Sequence, residues 1–313
     1  MMLDTRRAAS GWIGRWGAGI AMAGGLFLAM ASPALALEPP QVASMTAQSV
    51  RPAGLGGAFV AGAAGNGALR SNPGGLAAVH LYALEATYGR ATEAGPSAWG
   101  VSIVDSKTNP AFAGGVSYSR GSVGDDTTEK QDDYASQQIR LGLGLPLVEG
   151  ALTLGVTGSY TTLTTPKVSD DQPGSDLSSI SVDAGLHGVL GKVVLIGLTG
   201  RNLAESESLG LKREVAAGLG LMFGPLLVSG AWEGRPEQGA DGAMASGYAA
   251  GLEFAVETVP LRVGFRQEPV GGGQTITGGI GWRSRESGLD LAFEQPLAKD
   301  AVSSVSVSMS IYL

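Results

Sequence analysis

Two histidines, His80 and His187, and a complete lack of cysteine limit what this 313-residue chain can do chemically. Without cysteine there is no disulfide framework and no thiolate zinc site. The two histidines lie far apart, which leaves no His-rich metal centre, and any Ser–His–Asp arrangement has few members to draw on. No Gly-x-Ser-x-Gly elbow occurs, and the serines fall in Ser/Thr-rich runs. The stretch Gly54-Leu55-Gly56-Gly57 has the look of a phosphate loop. It lacks the Gly-Lys-Ser/Thr ending and the strand–helix setting that such loops need. The expectation is that the chain is not an enzyme and holds no metal and no cofactor.

Composition points to the elements that must then matter. Fifty residues are glycine, more than twice the usual share of about 7%, and they follow no Gly-X-Y period. Charged residues make up only 16%. Arg6, Arg7 and Arg15 precede an apolar core at 20–30, and Ala34-Leu35-Ala36 forms a small-residue cleavage site, so 1–36 reads as a signal peptide and the mature chain as starting at Leu37. Its removal takes three Arg and one Asp and moves the net charge from −7 to −9. A nucleic-acid partner, which needs a basic footprint, is excluded. No apolar run of about 18 residues follows the signal, so helical spans are excluded as well.

From residue 79 onward one pattern repeats: short segments with apolar residues at every second position, separated by turn-rich gaps. In one, Leu152, Leu154, Val156 and Tyr160 alternate with Thr153, Gly155, Thr157 and Ser159. The last segment ends the chain as Val305, Val307, Met309, Ile311 and Leu313, set against serines. About fourteen such segments occur, near 79–89, 96–105, 111–120, 134–146, 151–163, 178–190, 192–201, 211–223, 225–233, 245–255, 258–268, 272–284, 287–295 and 300–313. Their lengths suit tilted strands crossing a bilayer. Very short gaps, at 148–150, 191, 224 and 257–258, alternate with longer polar ones. The acidic gaps 121–133 and 167–176 are of the longer kind. That spacing predicts an all-β fold: a transmembrane antiparallel up-and-down barrel with tight turns at one end and long loops at the other. An even strand number puts both termini on the periplasmic side.

Period-two alternation then divides the residues by face. Leu141, Leu143, Val182, Leu186, Ile196, Leu198, Leu219, Leu221, Val228, Leu252, Phe254, Val263, Phe265, Leu289 and Leu291 are expected to face lipid. Arg140, Asp183, His187, Glu214, Glu233, Glu253, Arg262, Arg266, Asp290 and Glu294 are expected to line the lumen, because a charge facing lipid is expensive. There they would form either an ion-pair network that stiffens the pore or a polar path for a ligand headgroup. The acidic loops would be a solvated outer face or a site for divalent cations bridging to lipopolysaccharide, although none has the spacing of a Ca²⁺ loop.

Between the signal and the first strand lies Gly54-Leu55-Gly56-Gly57-Ala58-Phe59-Val60-Ala61, followed by Asn72-Pro73-Gly74-Gly75-Leu76-Ala77. This pair resembles the N-terminal signature of the FadL-type and PorV/PorQ-type outer-membrane proteins. Leu261-Arg262-Val263-Gly264-Phe265-Arg266 and Thr277-Gly278-Gly279-Ile280-Gly281 resemble late strands of the PorV-like group, and the alternating C-terminus resembles the signal read by barrel-assembly machinery. The resemblance implies a fourteen-stranded barrel at 79–313 with a plug-like segment at 37–78, embedded in outer-membrane lipid. It singles out Phe59, Asn72, Pro73, Gly74, Gly75 and Leu76 as the ligand or plug residues. Asn72-Pro73-Gly74-Gly75 is either a plain turn into the first strand or a plug hinge. The function implied is uptake of small hydrophobic, fatty-acid-like molecules past the plug. The PorV-like alternative is a scaffold or shuttle that binds a secreted protein partner.

Overall fold

Alternation at period two leaves each strand with one apolar and one small or polar edge. A sheet of fourteen such strands hides the polar edges by curling shut. The computed structural model describes residues 49–92, 96–123, 134–165, 174–206, 209–299 and 301–313. The strands are β1 Tyr82–Ala91, β2 Ser97–Asp105, β3 Ala113–Val123, β4 Tyr134–Val148, β5 Leu152–Thr165, β6 Ser175–Leu190, β7 Val194–Arg201, β8 Glu214–Phe223, β9 Leu226–Arg235, β10 Ala245–Val256, β11 Val259–Gln267, β12 Gln274–Arg283, β13 Ser287–Pro296 and β14 Ser304–Tyr312. Each runs antiparallel to its neighbours in sequence. β1 closes on β14, with Ala83 opposite Tyr312 and Ala91 opposite Ser304. Closure leaves no edge strand among the described strands. The expected signal peptide at 1–36, residues 37–48 and the acidic stretches 124–133 and 166–173 lie outside the described residues.

Connections at one end are tight. Gly191 and Lys192 both have positive φ (59° and 61°), and Val193 N–H donates to Leu190 O at 3.2 Å. This is the type I′ turn whose twist matches antiparallel strands. Gly224, at φ 60°, precedes Pro225 in the 224–225 turn. The other end carries the long connections, such as 202–213 and 236–244.

Two details differ from the sequence expectation. β1 begins at Tyr82 and not at 79, because Ser106 Oγ donates to Val79 O and Leu81 N–H donates to Ser106 Oγ (3.0 Å), which ties the entry strand into a loop. That loop, 106–112, is longer than its neighbours at the tight-turn end. It is braced by Lys107 N–H and Thr108 N–H on Asp105 Oδ1 and by Ala111 N–H on Asn109 Oδ1.

The outward face is apolar. Leu141, Leu198, Leu219, Val263 and Leu289 are each at least half exposed, and Leu221, Val228 and Phe265 stand half-buried beside them. Tyr88, Trp99, Tyr160 and Tyr248 stand outward toward the long-loop ends, and Phe223 and Trp282 toward the tight turns. Aromatic girdles at both margins of an apolar band are the pattern of a barrel in a bilayer. The buried strand residues are mostly small, polar or charged, with Val104, Leu195 and Leu227 as apolar exceptions, and those of the segment before β1 are mostly apolar apart from Asn72.

Candidate functional site

The strands' inner positions are mostly Gly, Ala, Ser and Thr, which leaves room inside the barrel. Residues 49–78 fill it in two arms. The first contains helix α1 (Val50–Gly54). It passes β13 and β12, then β11 and β10 at Leu55–Gly56, then β8 and β7 at Val60–Ala61. The chain then crosses to β1 and β2, where Asn66 Nδ2 donates to Ser102 Oγ at 2.8 Å. The second arm contains helix α2 (Ala68–Ser71) and a 3-10 turn, Pro73–Ala77, and lies against β4, β5 and β6.

Glycine makes this approach possible. A methyl group added at Gly155 would overlap Pro73 O, and one at Gly185 would overlap the Asn72 side chain. At Gly197 it would overlap Val60 O, and at Gly264 it would overlap Gly56 N. Backbone therefore rests directly on backbone, as only glycine allows. Hydrogen bonds fix the seat. Thr153 Oγ1 donates to Gly74 O (2.6 Å), and Thr277 Oγ1 donates to Gly54 O (3.0 Å). Asn72 is fully buried. Its Nδ2 donates to Val60 O and to Leu186 O, both at 2.9 Å, and its Oδ1 accepts Gly74 N–H at 3.1 Å. One side chain thus binds the first arm, the wall and its own turn.

The two sides of the segment differ. Toward β10–β13 it is held by charge. Arg51 makes a two-point bond to Glu253 (Nε–Oε2 2.9 Å, Nη2–Oε1 2.8 Å). Arg262 Nε reaches the same carboxylate at 2.6 Å, and Arg262 Nη1 reaches Asp290 Oδ1 at 2.5 Å. The Arg51 guanidinium also lies 5.1 Å from the centre of the Phe59 ring, within cation–π range. Toward β2–β4 the contact is mainly apolar: Leu55, Phe59, Ala63, Leu69 and Leu76 pack with Val104 and Ala113, Leu81 joins them, and the polar ties are Asn66 to Ser102 and Arg140 Nη1 to Leu69 O at 3.4 Å.

The plug candidates Phe59, Asn72, Pro73, Gly74, Gly75 and Leu76 are all buried in this seat. Gly74 lies against the His187 backbone and Gly75 against Ala63. Asn72-Pro73-Gly74-Gly75 is a 3-10 turn capped by Asn72. The lumen candidates fall into separate groups on the inner wall. Arg140 pairs with Asp183 (2.7 Å). Glu214 and Glu233 share Arg201, and Glu214 also meets Arg235 (3.0 Å). Glu253, Arg262 and Asp290 form the Arg51 clasp. Arg266 pairs with Glu268 (2.6 Å) and lies 3.5 Å from Glu294. His187 bonds to the Ala61 backbone and is not joined to an acid. Among the described residues no group of three or more His, Asp or Glu is placed to hold a metal.

The Arg262 side chain is 0% exposed, whereas Arg51, Arg201, Arg235 and Arg266 are 22–24% exposed. The wall side of the clasp, Arg262 with Asp290, is packed, and Arg201, Arg235 and Arg266 form a charged cup toward the long loops.

Sequence reasoning missed Arg51 and the seat glycines. Arg51 carries no motif, and its partner lies 202 residues away. The glycines did leave a trace, since Gly142 and Gly144 alternate with leucines and so belong to the inner face. The touching backbone cannot be read from that spacing.

In fold the chain is similar to solved transport proteins. It matches the Ralstonia pickettii toluene transporter TbuX at TM-score 0.59 and 13% identity, over 86% of this chain and 98% of that one. It matches the Pseudomonas putida toluene transporter TodX at TM-score 0.63 and 12% identity, over 83% and 96%. No family model matches the chain. No curated protein matches it either. The likeness establishes a shared barrel fold.

Proposed function

We propose that this chain is an outer-membrane barrel that passes small apolar molecules, fatty-acid-like or aromatic, around residues 49–78 acting as a plug. It is a conduit and not an enzyme, made with the signal peptide at 1–36 and with both termini in the periplasm. The observation that carries the reading is the two-sided seat. A segment clasped by ions on one side and in apolar contact on the other is held at β10–β13 and can yield at β2–β4. An apolar molecule that displaces the segment at β2–β4 gains contact with Leu69, Leu76, Leu81 and Val104, whereas the side at β11–β13 offers ion pairs it cannot replace. The shape shared with two toluene transporters supports the same reading.

The test is native mass spectrometry of the barrel extracted in mild detergent, together with uptake of toluene and of a medium-chain fatty acid by cells with and without the gene. A retained apolar ligand and an uptake defect support the proposal. Neither ligand nor defect overturns it. A stoichiometric secreted protein in place of the ligand moves the assignment to a scaffold.

A further inference from the structure

On the outward positions of the described strands, cations occur at two places, Arg90 near the end of β1 and Arg120 in β3. Every other strand arginine among the described residues points inward. This is unusual for a chain of net charge −7 whose long connections are acidic. Both arginines are exposed, both stand at the long-loop end, and both flank β2. Register fixes their relation: Arg90 is opposite Ser97, Ser97 is opposite Ser122, and Arg120 is opposite Trp99. With strands about 4.8 Å apart and about 3.4 Å per residue, the two Cα atoms are separated by roughly 12 Å. Two arginine side chains can span that distance onto one headgroup.

The surroundings are ordered like a lipid molecule. Level with Arg90 lie the Ser97 and Ser122 hydroxyls, in mutual contact at 3.4 Å. At the next level Trp99 meets Tyr118 with ring centroids 5.4 Å apart and planes at 58°, and Tyr88 stands opposite Trp99. Tyr118 donates its hydroxyl to Gln137 Oε1 at 2.9 Å. Below them run Val101, Ile103, Val116, Ile139 and Leu141, all exposed. Arg90 and the two serines form the outermost row, Tyr88, Trp99 and Arg120 the next, and Tyr118 and the aliphatics follow on the same four strands. Aromatic rings mark the headgroup level of a bilayer, and planar guanidinium groups match phosphate at two points.

We infer that the outward face of β1–β4 at the long-loop end is a binding site for a phosphorylated glycolipid of the outer leaflet, with Arg90 and Arg120 on its phosphates and the aliphatic column along its acyl chains. This rests on the membrane placement given above, and the experiment separates the two.

The full-length barrel, wild type or R90Q/R120Q, is reconstituted in phosphatidylcholine nanodiscs doped with diphosphoryl lipid A or with its dephosphorylated form. Glycolipid held by the protein is then read by native mass spectrometry. The control, K192Q/R285Q, removes two exposed charges at the tight-turn end. Heat-modifiable migration on a gel reports folding. The expected result is preferential retention of diphosphoryl lipid A by wild type and control, a fall of about tenfold or more for R90Q/R120Q, and recovery in R90K/R120K. Retention must also survive excess inorganic phosphate. Equal retention by wild type and R90Q/R120Q, equal retention of the dephosphorylated lipid, or displacement by inorganic phosphate overturns the site. Failure of the wild type to insert into nanodiscs overturns the membrane placement instead.

Discussion

The Asn72 side-chain amide donates to the backbone oxygen of Leu186 at 2.9 Å, 114 residues further along the chain. It thereby joins the turn before β1 to the middle of the barrel wall. The same nitrogen holds Val60 O in the other arm. Asn72→Ala takes the side-chain donor from Val60 O and the acceptor from the Gly74 N–H, while Leu186 O keeps its place in the β6–β7 ladder, and buried unsatisfied groups cost about 1–3 kcal/mol each. We expect the barrel to remain folded while residues 49–78 loosen. Limited proteolysis of the folded barrel in detergent checks this. Unchanged protection of the segment in the variant would remove Asn72 from its anchoring role.

Gly155 and Gly197 test the seat itself. Gly155→Ala drives a methyl group into Pro73 O, and Gly197→Ala drives one into Val60 O. Neither atom belongs to a flexible side-chain end, so the segment and not the methyl must move. Overpacking of this kind typically costs about 1–3 kcal/mol. Single-channel recordings in planar bilayers should show higher or noisier conductance for both variants than for Gly158→Ala, where an added methyl meets nothing within 4 Å.

Within the ionic clasp the order of effects is fixed by connectivity. Glu253 serves two guanidinium groups, and Arg51 serves one carboxylate. Glu253→Gln leaves Arg262, whose side chain is 0% exposed, with only Asp290 as a charged partner. Breaking a buried pair from one side costs roughly 3–5 kcal/mol. Arg51→Gln removes a partly exposed partner and should cost less. Thermal unfolding in detergent ranks the two, and a larger loss for Arg51→Gln would show that the clasp is organised around the segment and not the wall.

β6 is longer than the strand it meets. Its pairing with β7 covers Ala184–Leu190, while residues 175–183 pair only with β5 among the described strands. On the open side Leu203 N–H donates to Val182 O at 2.9 Å. Amides on that side, at Ser178 and Ile180, should therefore exchange hydrogen faster than those of Ser179 and Ser181, which face β5. Uniform protection along 175–183 would mean that 202–213 completes the wall.

The barrel was legible because its wall obeys a local rule. Leu152, Leu154 and Val156 announce their face by period alone, and Gly191, Gly224 and the 257–258 pair announce the tight turns. The inward set Arg140, Asp183, Glu253, Arg262 and Asp290 follows from the same rule. What stayed hidden depends on partners distant in sequence. The rule that sends Glu253 and Asp290 inward does not show which cation each will meet. The two-armed path of residues 49–78 has no period, since 3-10 turns and short helices carry no repeating face. The level at which the lumen changes from packed to open depends on that path.

Glycine on the wall also records the order of assembly. Residues 49–78 are made before any strand, yet Gly54 meets Thr277 across 223 positions, so their final resting place exists only when synthesis is nearly complete. A strand that paired one residue out of register would turn leucine inward where glycine belongs, and the two arms would have nothing to lie on. The seat of the N-terminal segment thus depends on the register of every strand that supplies one of these glycines.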